Sequence, residues 1–260
     1  MKHLQLIMLT ILFTAIRVHA QDLNLYNKES YVKGKDSIQY RVLLPENFDA
    51  NQKYPLLIFL HGSGERGSEN EKQLTHGGKL FLDSAVRKNF PAIIVFPQCP
   101  EDDRWTASKR IPGKTGKNAF EFKKGGKPTA TMHALTRMTN EFLKKSYVDR
   151  KQVYVGGLSM GAMGTYELLR RKPKTFAAAF AICGGDNLAN VKKYRHVPLW
   201  IFHGGKDDVV SPELSKEIAD HLKIIGKEVK FTLYADDNHN SWDSAFAEPQ
   251  LLPWLFSHSK

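Results

Sequence analysis

Val153-Tyr154-Val155-Gly156-Gly157-Leu158-Ser159-Met160-Gly161 decides the fold. An apolar run enters this stretch, and a helical pattern, Ala162 to Arg171, leaves it before Pro173. The serine therefore sits in a turn between a strand and a helix. Such a turn is so tight that Cβ atoms beside the serine would collide with neighbouring backbone. Gly157 and Gly161 remove those atoms, and Gly164 would let the helix lie close to the sheet. The pattern G-x-S-x-G in this setting is a nucleophile elbow, with the hydroxyl held out over the sheet edge.

Working outward, the same rhythm continues. Ser37 to Leu44 alternates in the strand manner and stops at Pro45. Further apolar runs are Pro55 to Leu60, Ala92 to Phe96, Ala178 to Ile182, Leu199 to Phe202 and Val229 to Tyr234. Most are continuously apolar, which marks strands of a parallel sheet covered on both faces. Helical patterns intervene at Ala134 to Lys145 and at Pro212 to Ile225, the latter with Ser211 as N-cap and Pro212 in the first turn. The alternation predicts an α/β chain: a mostly parallel, doubly wound sheet flanked by helices, in one domain over 21–260. One stretch breaks the rhythm. Residues 105–131 are rich in glycine and carry Lys109, Arg110, Lys114, Lys117, Lys123, Lys124 and Lys127 against Glu121 alone. A connection this long reads as a basic, lid-like insertion or as a solvated surface loop.

The first twenty residues differ from the rest. Lys2 precedes a mostly apolar run from Leu4 to Ile16, and Val18-His19-Ala20 has the form of a small-x-small cleavage site. This is the layout of a cleaved secretory signal peptide, so the mature chain is expected to be secreted or periplasmic. The run is shorter than the roughly 18 residues a membrane span needs; an uncleaved N-terminal anchor is the alternative. No later run is long and apolar enough to span a membrane. The formal net charge is +11 over 260 residues, and loss of Lys2 and Arg17 leaves +9. The positive charge is spread along the chain with no dense block, which argues against nucleic acid as a partner. With 42% hydrophobic residues, disordered and fibrous classes are set aside. The two cysteines, Cys99 and Cys183, each close a predicted strand; these strands are not expected to be neighbours, so two free, partly buried thiols are expected.

A serine nucleophile needs a base and an acid, and behind this elbow the chain order is Ser, then Asp or Glu, then His. His203-Gly204-Gly205-Lys206-Asp207-Asp208 leaves a predicted strand and offers two acids; the spacing H-G-x-x-D-x-x-V favours Asp207 over Asp208. Of the histidines that follow, His221 lies inside a predicted helix and His258 in the terminal tail. His239 lies in a polar loop directly after the last strand, where it can reach the serine, and is the expected general base. In this fold the oxyanion donors are the N–H after the nucleophile and one from the loop after an earlier strand. Here those are Met160 and, in Leu60-His61-Gly62-Ser63-Gly64, Ser63; His61 precedes the nucleophile and is expected to brace its loop. No metal-binding motif is present, and the chemistry requires no cofactor.

Taken together, His61 to Gly67, Pro97-Gln98-Cys99-Pro100 with Trp105, Gly157 to Gly161, His203 to Asp207 and His239-Asn240-Ser241-Trp242 resemble secreted bacterial esterases of the α/β-hydrolase superfamily. The chain is similar to polyhydroxybutyrate-depolymerase-like, feruloyl and acetyl-xylan esterases, often catalogued as predicted peptidases. The resemblance spans roughly residues 30 to 256. Asn240, where such relatives commonly carry Asp or an aromatic residue, is a mild departure. The resemblance implies a serine carboxylesterase acting through an acyl-enzyme on a small-molecule or polysaccharide ester, with a peptidase of the prolyl-oligopeptidase type as the alternative. It also implies that Glu65, Arg66, Gln98 and Trp105 sit near the acyl or sugar pocket, with Trp242 beside His239. Loop-bracing ion pairs and a half-buried aromatic are the competing readings of those residues.

Overall fold

The computed structural model describes residues 22–112 and 118–260. The expected leader, residues 1–20, lies outside the described residues, as do Lys114 and Lys117 of the basic segment. Among the described residues the chain runs β1 (Asn27–Lys33), β2 (Asp36–Leu43), β3 (Tyr54–Leu60), α1 (Ser84–Asn89), β4 (Ile93–Gln98), β5 (Ser108–Pro112) and β6 (Asn118–Phe122). It continues α2 (Ala130–Phe142), β7 (Val148–Leu158), α3 (Met160–Arg171), β8 (Ala178–Ile182), α4 (Leu188–Tyr194) and β9 (Leu199–Gly204). It closes with α5 (Pro212–Ile224), β10 (Val229–Tyr234), α6 (Trp242–Ala247) and α7 (Leu251–Phe256).

Eight strands form one sheet in the order β1-β2-β4-β3-β7-β8-β9-β10. The pairs from β4 through β10 are parallel, and β2 joins β4, and β1 joins β2, antiparallel. The continuously apolar runs are the interior strands. Every residue of β4, β8 and β9 is buried, because helices cover both faces. On one face Met132 and Leu135 of α2, Tyr166 of α3, Val191 of α4 and Ile218 of α5 pack on Ile58, Val155 and Ile201. On the other, Val86 of α1, Ala245 of α6 and Leu251 and Leu255 of α7 pack on Phe59, Phe180 and Phe202. The strand order reverses between β3 and β7. A doubly wound sheet binds ligands beyond the carboxyl ends of its strands at such a switch point. The loops of Ser63 and Ser159 leave these two strands.

The structure departs from expectation in four details. Helix α2 starts at Ala130, a turn before the predicted Ala134, because the Thr129 hydroxyl accepts from the Met132 N–H at 3.0 Å and caps it. Ser211 stands at the N-cap of α5, but its hydroxyl bonds Glu213 instead of a helix N–H. The basic segment is not a loop throughout: β5 and β6 pair as an antiparallel hairpin, Ser108 opposite Phe122. Phe122 packs on Met163 and Val210, which seats the hairpin beside the first turns of α3 and the loop after β9. Asn187 and Asn190 at the start of α4 hold its base by bonds to the carbonyls of Phe122 and Lys123, at 2.9 and 3.1 Å. Lys109, Arg110, Lys123, Lys124 and Lys127 remain exposed. Cys99 and Cys183 are free, and their strands are separated by β3 and β7; both thiols are wholly buried, not partly. No helix among the described residues is long and apolar enough to cross a membrane.

Candidate active site

The elbow forms as the glycines require. A Cβ on Gly161 would run into the carbonyls of Leu60 and His61, and one on Gly157 would stand 2.9 Å from the Leu60 oxygen and closer still to Gly161. Helix α3 can begin only where side chains are missing. Ser159 takes φ +52°, a conformation that costs a non-glycine residue about 1–3 kcal/mol and is held by its surroundings. Its N–H donates to the Ile182 carbonyl at 2.8 Å, tying the turn to the end of β8. The hydroxyl is directed to His239: Nε2 lies 3.0 Å from Ser159 Oγ.

His239 sits in the loop between β10 and α6. This loop is stitched to the one after β9 by main-chain bonds, Gly205 N–H to Tyr234 O at 2.7 Å and Lys206 N–H to Asp237 O at 2.9 Å. The imidazole Nδ1 is 2.8 Å from Asp207 Oδ2, so Nδ1 carries the proton and Nε2 is free to accept one. Asp207 is wholly buried. Burial alone would raise its pKa, but hydrogen bonds from His203, His239 and the Val210 N–H outweigh it and hold the carboxyl well below the usual range. Oδ1 accepts from the N–H groups of Val209 and Val210 at 2.9 and 2.8 Å. His203 Nε2 faces both the Val210 carbonyl, at 2.9 Å, and Asp207, at 3.2 Å; it therefore carries a proton. Asp208, the competing acid, is exposed, and its N–H donates to Asn238. Among the described residues, one cluster has side chains close enough to share a metal, Cys183, Asp207 and His239. Its Asp207 oxygens are already occupied by these donors, and burial and the Asp207 charge keep the Cys183 thiol protonated.

The loop after β3 passes directly over the nucleophile: a Cβ on Gly62 would lie 3.6 Å from Ser159 Cβ. Ser63 opens a 3-10 turn, Ser63–Glu65, and Met160 is the first residue of α3. The first N–H groups of a helix have no intrahelical acceptor, so Met160 presents a free donor at the elbow. His61 braces this loop as expected. Its Nε2 accepts from the Cys99 N–H at 2.9 Å and Nδ1 reaches the Gly62 carbonyl at 2.6 Å. Burial lowers its pKa to about 4, so the ring is neutral. Arg66 adds a bond from Nε to the Ser63 carbonyl at 3.0 Å.

The residues expected to line the substrate pocket divide. Trp105 is wholly buried beneath the loop, with Nε1 donating to the His61 carbonyl at 3.0 Å, in the space that Gly164 leaves open. Gln98 is buried too: Nε2 donates to the Glu65 carbonyl and to Glu69, and Oε1 accepts from the Asn70 N–H. Both residues brace the loop from behind and offer a ligand no surface, which corrects the pocket expectation. Glu65 and Trp242 lie at the front. Trp242 stands edge-on to His239, ring centroids 5.5 Å apart. A residue without a sequence signal joins them. His76 packs on Trp242 at 4.8 Å and pairs with Glu65, Nε2 to Oε1, at 3.6 Å.

The family model described as phospholipase/carboxylesterase matches residues 48–250. A bifunctional acetylxylan esterase/xylanase of Neocallimastix patriciarum is 30% identical over 171 residues, which is 65% of this chain and 21% of that protein. The chain thus spans about a fifth of the length of this curated relative. A thermostable esterase of known structure superposes with a TM-score of 0.81 at 28% identity, over 92% of this chain and 64% of that one. A ferulic acid esterase from Anaeromyces mucronatus shares the fold, with a TM-score of 0.61 at 18% identity over 89% of this chain and 88% of that one. The chain therefore belongs to the phospholipase/carboxylesterase family and has the α/β-hydrolase fold.

Proposed function

We propose that this is an exported esterase of one catalytic domain that releases acetyl or feruloyl groups from plant polysaccharide through an acyl-enzyme on Ser159. The observation that carries the mechanism is the unbroken line Ser159 Oγ, His239, Asp207, with contacts of 3.0 and 2.8 Å. His239 Nε2 takes the Ser159 proton as Oγ attacks the ester carbonyl. The carbonyl oxygen becomes an oxyanion facing the Ser63 and Met160 N–H groups, each contributing on the order of 3 kcal/mol to that state. The C–O bond to the alcohol then breaks, and the leaving oxygen takes the proton from His239. Water repeats the sequence on the acyl-enzyme and frees the acid. Asp207 holds the imidazole tautomer and stabilises the imidazolium. The substrate class is supported by the acetylxylan esterase relative and the ferulic acid esterase fold neighbour.

The test is a panel of p-nitrophenyl acetate, methyl ferulate, acetylated and feruloylated xylan and an aminoacyl p-nitroanilide, with Ser159→Ala beside the wild type. Release of acetate or ferulate from xylan, lost in the variant, is expected. Activity on the anilide alone would install the peptidase in place of the esterase. Export is tested separately by the N-terminus of the protein recovered outside the cytoplasm, expected at Gln21.

A further inference from the structure

Two flanks meet at the nucleophile, and their chemistry differs. Over the α3 and α5 face lie apolar side chains: Met163 one turn beyond Ser159, Val209 and Val210 after Asp207, and Phe120 and Phe122 of the hairpin. Over the α6 and α7 face lie Trp242, His76 and Glu65. Trp242 and His76 are half-buried, and the Glu65 side chain is 13% exposed. The Glu65–His76 contact is loose at 3.6 Å, and among the described residues neither side chain makes a hydrogen bond. A carboxylate beside an oxyanion site opposes the charge that develops there, so its position calls for another use. Glu65 Oε2 lies 3.0 Å from the Cβ position of Gly62, the residue that passes over Ser159.

The alcohol of an ester must leave on the side from which His239 can protonate it. Trp242 packs on His239, so the flank of Trp242, His76 and Glu65 is the alcohol side. An alkyl alcohol would use none of these polar groups. A sugar uses all three, because its C–H face rests on an indole while its hydroxyls donate to a carboxylate and accept from an imidazole. We infer that Glu65, His76 and Trp242 form a subsite for the sugar that carries the ester, and that Glu65 and His76 determine specificity for a hydroxylated alcohol. This rests on the esterase reading above.

A matched pair of substrates, ethyl acetate and mono-acetylated xylotriose, differs only in the alcohol. Wild type is expected to favour the sugar ester in kcat/KM by tenfold or more. Glu65→Gln and His76→Gln, two size-conserving variants checked for an intact melting transition, are expected to lower that preference about tenfold, through KM for the sugar ester. Equal rates on both esters in the wild type, or parallel losses on both in the variants, would overturn the subsite while leaving the esterase standing. Cleavage of an aminoacyl p-nitroanilide and of neither ester would remove the esterase reading itself.

Discussion

The floor of the site and its rim are built by different means. On the floor, Ser159 and Asp207 are fixed by main chain: the elbow by the approach of Gly157 and Gly161 to Leu60, the acid by the N–H groups of Val209 and Val210. At the rim, Glu65, His76 and Trp242 are side chains held by a loose ion pair and ring contacts. Buried groups with every partner in place are costly to disturb, whereas a loose ion pair without hydrogen bonds contributes little to stability. On the proposed function, the reaction is fixed in the backbone and the choice of substrate is left to residues that can change cheaply.

The largest effect is expected at the acid. Asp207→Asn keeps the shape but favours the wrong imidazole tautomer, and kcat on p-nitrophenyl acetate is expected to fall about 10⁴-fold. Asp208→Asn, at an exposed carboxyl, should change it by less than about threefold. Equal losses from the two variants would contradict the assignment. Next is the elbow. Gly161→Ala drives a methyl into the Leu60 carbonyl, and a loss of about 3 kcal/mol or more is expected in denaturant melts. A melt unchanged from wild type would show that α3 can slide to make room.

A smaller effect concerns the brace behind the oxyanion loop. Burial lowers the His61 pKa to about 4, against about 6.5 in the unfolded chain. Between those values the unfolded chain binds the proton and the folded one does not. The stabilisation is therefore complete above pH 6.5 and lost as pH falls toward 4, by about 2 kcal/mol at pH 5. His61→Gln should flatten that part of the stability profile; an unchanged slope would assign the acid sensitivity to other groups. The least costly changes are at the rim. Glu65→Ala and His76→Ala are each expected to shift the melting midpoint by no more than a few degrees. A larger loss from either would place these residues with the floor.

The floor was legible in the sequence because its devices leave local marks. Continuous apolar runs gave β3, β4, β8 and β9, since only strands covered on both faces can be apolar throughout. Glycines around a serine marked the elbow, and chain order with loop position singled out Asp207 and His239. Strand β1, ahead of the strand read at Ser37 to Leu44, left no such mark. It is an edge strand, exposed along almost its whole length, so no face imposes an alternation. The β5–β6 hairpin was hidden for a related reason, with Phe120 and Phe122 its main apolar anchors among many cations. The pocket residues were half legible. The resemblance implies that Gln98 and Trp105 lie beside the loop after β3, but not whether they stand in front of it or behind. His76 left no mark, because it lies between short 3-10 turns, Lys72–Leu74 and Leu80–Leu82, without a periodic pattern.

The contact between Gly161 and the end of β3 reaches beyond catalysis. In the proposed mechanism the two oxyanion donors are main-chain N–H groups, and their spacing is set where one bare backbone rests on another. In that mechanism the side chains of Ser63 and Met160 take no part in the reaction, although Met160 is packed in the core. A saturation library at the exposed Ser63 should keep a large active fraction and one at the buried Met160 mainly its apolar members, while libraries at Gly157 and Gly161 should be nearly barren. An engineer wishing to reshape the mouth of this site can rewrite Ser63, whose backbone would bear one of its hydrogen bonds, provided the silent glycines of the elbow are left alone.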